Sequence, residues 1–135
     1  MRVLILAASG AHFAVPMTSV YQVLRHPLVT RIPLSPPGLI GIVNVRGEIV
    51  PLLDTAILTE TGSLNEPPFA VLVSDGDDMV ALAAEELPIA SDLEAPVGAG
   101  SLPGEIAVYS NGGRLVVLID VEELMKNRLD LKRAS

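Results

Sequence analysis

Apolar residues in this chain gather into short runs broken by Gly, Pro and polar clusters, not at the three-to-four spacing of long helices. The pattern predicts strands near 2–8, 12–16, 29–33, 39–45, 48–53, 69–74, 79–84, 106–109 and 114–119, hence a mainly β fold. Asp75-Gly76-Asp77-Asp78 and Asn111-Gly112-Gly113 lie between paired runs and read as hairpin turns, with Arg46-Gly47 as a third. Pro51 cannot donate to a ladder, so its strand is expected at a sheet edge or bulged there.

Two short helices are predicted. The first covers 18–25, where Ser19 and Gln22 have capping-box spacing, Val20, Val23 and Leu24 share a face, and His26-Pro27 ends it. The second follows Asp120, with Glu123 three residues on and an apolar stripe of Val121, Leu124, Met125 and Leu129. Its basic end suits the negative pole of a helix. Segments 55–68 and 88–104 lack periodicity and read as loops.

The chain also echoes itself. Gly47-Glu48-Ile49-Val50-Pro51-Leu52-Leu53-Asp54 and Gly113-Arg114-Leu115-Val116-Val117-Leu118-Ile119-Asp120 share a turn glycine, an apolar strand and a terminal Asp, and each has a Leu four residues after that Asp. Two copies are too few for a solenoid, so the repeat points to two small barrels or curled sheets sharing one aliphatic core within a single domain, residues 1–135.

Composition narrows the function. The 135 residues are 50% hydrophobic but only 3% aromatic, so Val, Leu, Ile and Ala must fill the core. With no Cys, disulfides and thiolate metal sites are excluded. Of 9 Lys and Arg, four lie at Lys126, Arg128, Lys132 and Arg133, so the acidic body before them repels nucleic acid. No apolar run is long enough for a membrane helix, and Val3–Ala8 reads as a strand rather than a signal segment.

Catalytic chemistry is sparse. His12 and His26 have no partners at ligand spacing, Ser9 and Ser101 sit in no nucleophile elbow, and no phosphate loop appears. Asp54 and Asp120 read as caps at strand-to-helix junctions. The acids at 75–78 lack the ligand spacing of a Ca²⁺ loop. No catalytic residue, metal or cofactor is therefore assigned. Arg46 stands out as a cation at a hairpin tip: it is either a partner anchor or a turn brace paired with Glu48 or Asp54.

Val29-Thr30-Arg31-Ile32-Pro33 and the continuous stretch Pro37–Asp54, with Asn44-Val45-Arg46-Gly47 at its centre, resemble the CheW family of bacterial chemotaxis coupling proteins. The opening strands, the 20–25 region and the closing Gly112–Leu124 segment extend the resemblance over most of the chain. It implies two SH3-like five-stranded β-barrel subdomains sharing a core, no enzymatic activity, and a cytoplasmic adaptor at membrane-associated receptor arrays. The implied partners are the cytoplasmic tip of a methyl-accepting chemoreceptor, held in a groove between the subdomains, and the regulatory domain of a CheA-type histidine kinase.

Carried over by position, Asn44, Val45, Arg46 and Gly47 fall in the loop implicated in receptor contact, and Val20, Gln22 and Val23 in the family's other binding region; Val50 is added as an apolar anchor. Gln22 departs from the family, many of whose members carry an acid near that position. The segment 79–93 is also short and lacks the usual Gly- and Val-rich strand. The same module could serve a non-flagellar chemosensory pathway, and a small-ligand β-barrel is the reading from a different class.

Overall fold

The computed structural model describes residues 1–128. In chain order it contains β1 (Arg2–Ala8), β2 (Ala11–Pro16), β3 (Val20–Arg25), β4 (Val29–Thr30), β5 (Leu39–Val45), β6 (Glu48–Leu53), α1 (Thr55–Leu58), β7 (Phe69–Asp75), β8 (Asp78–Ala84), β9 (Ile89–Asp92), β10 (Gly98–Ala99), β11 (Glu105–Asn111), β12 (Arg114–Ile119) and α2 (Val121–Arg128). One six-stranded sheet runs β10-β11-β12-β2-β1-β9, and the other runs β4-β5-β6-β8-β7-β3. The two orders correspond strand for strand. The second sheet is a continuous piece of chain, whereas the first joins the N-terminal hairpin to the C-terminal strands. The expected pair of five-stranded SH3-like units is present, and each sheet gains a two-residue strand, β4 or β10, at one edge.

The echo in the sequence extends through the geometry. Each copy has a hairpin whose first strand is bulged near its start, between Leu39 and Gly41 or between Glu105 and Ala107. Gly38 and Gly104 both have positive φ, and their carbonyls accept from the amides of Asp54 and Asp120. The last strand of each copy then pairs in parallel with a strand of a second hairpin, β6 with β8 and β12 with β2.

Four expectations need correction. Residues 20–25 form strand β3, not a helix. Ser19 Oγ donates to Pro16 O, inside a 3₁₀ turn at Met17–Ser19, instead of capping a helix, and β7 supplies an antiparallel partner with one register shift between Val20 and Gln22. Val20, Tyr21 and Val23 suit a pleated surface, and tertiary pairing decides a short apolar segment whose period is ambiguous. Pro51 lies in an interior strand. Its side toward β8 is tolerated because that parallel pairing involves only Leu52 and Leu53, so the missing N–H falls outside the ladder. The two supposed loops contain α1, β9 and β10, and the strand expected at 29–33 stops at Thr30. Leu129, assigned to the apolar stripe of α2, lies outside the described residues.

Hairpin β1–β2 is buried on both faces. Leu4, Leu6, Phe13 and Val15 join a large core with β5 to β8, α1 and α2, while Val3 and Ala14 face a smaller core with Leu93, Tyr109, Val116 and Leu118. Alternating residues of one strand therefore serve two cores. Backbone contacts reinforce the junction: Glu85 N donates to Ala7 O, and Gly10 N donates to the Glu85 carboxylate.

The two repeat carboxylates have unequal roles. Asp54 is buried; its Oδ1 accepts from Ala56 N and Ile57 N at 3.0 and 3.1 Å, and its Oδ2 accepts from Leu64 N at 2.8 Å. It thus caps α1 and also ties down the segment that follows. Asp120 is exposed and accepts from Glu123 N at 3.2 Å. Removing a buried acceptor strands its donors, whereas an exposed cap is replaced by water. Asp54→Ala is expected to lower unfolding free energy by about 3 kcal/mol and Asp120→Ala by about 1 kcal/mol, read from urea midpoints at unchanged slope.

Candidate partner interface

The sheet containing β3 curls until its edges approach, so that β3 and β5, four places apart in strand order, line common depressions. Two of these form a trough along β3, and a third depression continues it beyond Arg25. The first, about 310 Å³, lies among Tyr21, Gln22, Val45, Arg46, Leu72 and Met79. The second, about 470 Å³, runs from Gln22 and Val23 to Leu28, facing Val43 and Asn44. The third, about 420 Å³, shares His26, Pro27 and Leu28 with the second and reaches Arg31 and Glu66. The two regions carried over from the family thus meet on one surface: Gln22 and Val23 come from β3, and Asn44, Val45 and Arg46 from the β5–β6 hairpin.

The hairpin tip is specific in its geometry. Arg46 (φ 54°) and Gly47 (φ 87°) are both left-handed, as a tight two-residue hairpin turn requires. Asn44 Oδ1 accepts from Gly47 N at 2.8 Å, so Asn44 shapes the turn while remaining exposed. The equivalent tip in the other sheet uses Gly112 and Gly113, at φ 60° and 79°. The fold therefore accepts Gly where this turn carries Arg46, and an L side chain there costs about 1–2 kcal/mol. The proposed bracing role fails: among the described residues Arg46 makes no ion pair with Glu48 or Asp54, and Asp54 is occupied as a cap. The guanidinium is exposed at the lip of the trough.

Other assigned residues are less accessible. Val50 is 1% exposed and packs in the large core, so its side chain is not presented to a partner; this corrects its assignment as an anchor. Val20 and Val23 are half-buried and rest on the same core. Residues missed by the sequence reading include Tyr21 (64% exposed) and the half-buried Met79 beside Arg46, and Leu28 (91% exposed) between two depressions. Tyr21 was hidden by the helical reading of 18–25, whereas Leu28 follows His26-Pro27 in a segment without a pattern.

The remaining candidates for chemistry occupy structural positions. His26, at φ 47°, stacks on Phe69 with ring centroids 6.4 Å apart and donates its backbone N–H to Pro68 O. Arg25 lies over the same ring at 5.8 Å. Among the described residues, no cluster of His, Asp and Glu is arranged to hold a metal. No helix among them is long and apolar enough to cross a membrane.

Comparisons with known proteins agree with this geometry. The family model for the CheW-like domain matches residues 2–129. The chain is 25% identical over 137 aligned positions to a chemotaxis protein CheW from Klebsiella aerogenes, covering 92% of this chain and 81% of that protein. In fold it is similar to the crystal structure of the scaffolding protein TtCheW from Thermoanaerobacter tengcongensis, with a TM-score of 0.77 and 17% identity over 93% of this chain and 92% of the other. Its twinned sheets, the hairpin carrying Asn44 to Gly47 and the family match over nearly all its length together place this chain in the CheW-like domain family.

Proposed function

We propose that this chain is a non-enzymatic adaptor of bacterial chemotaxis signalling, coupling the cytoplasmic tip of a methyl-accepting chemoreceptor to a CheA-type histidine kinase. The reading rests on family membership, and one observation carries it to a site: a left-handed, exposed Arg46 where the sibling turn has Gly112. Strain that folding does not require, at a residue with no ion-pair partner among the described residues, is accounted for by an external contact. Arg suits that role, since its planar fork makes several bonds at once and its stem adds apolar contact.

The action is positional. A receptor helix pair lies against the apolar surface beside β3 with Arg46 at its lip, and a second surface meets the kinase regulatory domain. A few buried anchors supply the affinity of a helix in a groove, and two modest contacts on one rigid body raise local concentration enough to hold an array together. Asn44 and Gly47 set the loop, Val45 and Gln22 line the depression beneath Arg46, and Val20 and Val23 support β3 from the core side. The protein works in the cytoplasm, at receptor arrays on the membrane.

Two substitutions separate the fold from the contact. Arg46→Gly relieves the left-handed backbone and is expected to raise stability by about 0.5–1 kcal/mol in urea melts while weakening binding to a receptor tip fragment at least tenfold. Loss of both stability and binding would make the residue structural. Arg46→Glu should leave the melt close to that of the parent and weaken the same binding by about 1–3 kcal/mol, measured by calorimetry. Unchanged affinity in both variants would remove Arg46 from the interface.

A further inference from the structure

The sibling sheet acts as an internal control for the slot between β3 and β5. By strand order, the counterpart of that gap lies between β9 and β11, and there Asn111 Nδ2 donates to Ser91 Oγ at 2.9 Å, bridging the two strands. In the β3 sheet, Val45 takes the place of Asn111 in the repeat, and among the described residues no hydrogen bond crosses from β3 to β5. The result is an open slot of about 470 Å³. β3 pairs with β7 on one side and with no strand on the other among the described residues, so the outward-facing N–H and C=O groups of alternate residues in this six-residue strand have no ladder partner. Native proteins usually shorten, charge or cover such an edge, because it is a template for another strand.

Charge indicates what the edge accepts. Of the five Arg in residues 1–125, Arg25, Arg31 and Arg46 border the slot or the depressions beside it. Of the fifteen acids in the same span, only Glu48 and Glu66 line them. Arg46 lies beside Tyr21 and Gln22 at the start of β3, and Arg25 at its end, so cations flank the edge at both ends. Apolar lining from Val23, Val43 and Leu28 lies between them.

From these observations we infer that β3 is a strand-addition site for an extended acidic peptide segment of another protein. Six residues pair along the edge, alternate apolar side chains enter the slot, and an Asp or Glu near each end meets Arg25 and Arg46. This site goes beyond the proposed receptor contact, because it recognises an extended backbone along β3 rather than a helix pair.

The test is selection of a randomised seven-residue display library on the full chain, followed by hydrogen exchange with the best synthetic peptide. The expected result is enrichment of Asp or Glu near both ends around alternating apolar residues, with slowed exchange at the amides of 20–25. Leu28→Glu places a like charge in the slot at a residue exposed enough to leave folding intact, and it should weaken the peptide at least tenfold. N-methylation of alternate peptide amides should abolish binding. No enrichment, enrichment of basic or helix-forming sequences, or binding without protection of 20–25 would overturn the inference. A dimer in sedimentation that Leu28→Glu dissolves would assign the slot to a second copy and overturn it as well. None of these results depends on receptor affinity, so failure here is distinguishable from failure of the adaptor reading.

Discussion

The double burial of hairpin β1–β2 is the constraint on which the rest of this structure depends. Its alternating side chains face two different cores, Leu4 and Leu6 on one side and Val3 on the other, with Phe13 and Ala14 repeating the division on β2. A strand with one wet face could slip or detach at modest cost, but here a shift of register by one residue would exchange the occupants of both cores at once. The two sheets are therefore fixed relative to each other, because the larger and the smaller core share this hairpin. This also explains the continuous apolar runs at 3–8, 69–73 and 79–84, which lack alternation because neither face meets water.

Internal repetition makes some of the functional reasoning a comparison within one molecule. Both halves have a bulged hairpin, a positive-φ glycine before it and an Asp cap after it, so the backbone plan is the same twice over. Where the halves differ, the plan itself is not the cause. Arg46 against Gly112, Val45 against Asn111, and buried Asp54 against exposed Asp120 are such differences. The first two fall on the same stretch of surface. A departure that strains the backbone and another that leaves a strand gap unbridged are both explained if that surface is used by something outside the chain.

Much of this was legible in the sequence, for reasons that can be named. The hairpins were readable because Gly76, Gly47 and Gly112-Gly113 mark turns whose dihedrals few other residues adopt. The echo was readable because an Asp cap and a turn glycine recur at fixed distance from an apolar strand. Residues 18–25 misled because Ser19 and Gln22 imitate a cap, while the partner that makes the segment a strand, β7, lies far along the chain. Pro51 misled in a different way. The rule against proline in interior strands concerns one donor, and only the pairing register shows that this donor has nothing to meet. At the site, Asn44 and Arg46 were found through a motif, whereas Tyr21 and Leu28 emerged only once β3 and β5 were seen to face each other.

An adaptor of this kind asks something of its core that an enzyme does not. A catalytic site needs a few atoms held within a small region, whereas a bridge needs two distant surfaces held at a constant angle. Twinned sheets that could fold separately would meet through a small interface and move against each other. By letting one hairpin belong to both cores, and by adding cross-links such as Glu85 to Ala7 and Gly10, this chain leaves no linker at which to bend. The surfaces can then vary at hairpin tips and at the exposed positions of edge strands, such as Arg46 and Tyr21, because those side chains do not enter the shared interior. Rigidity between the sheets and freedom at their margins are thus two consequences of the same packing.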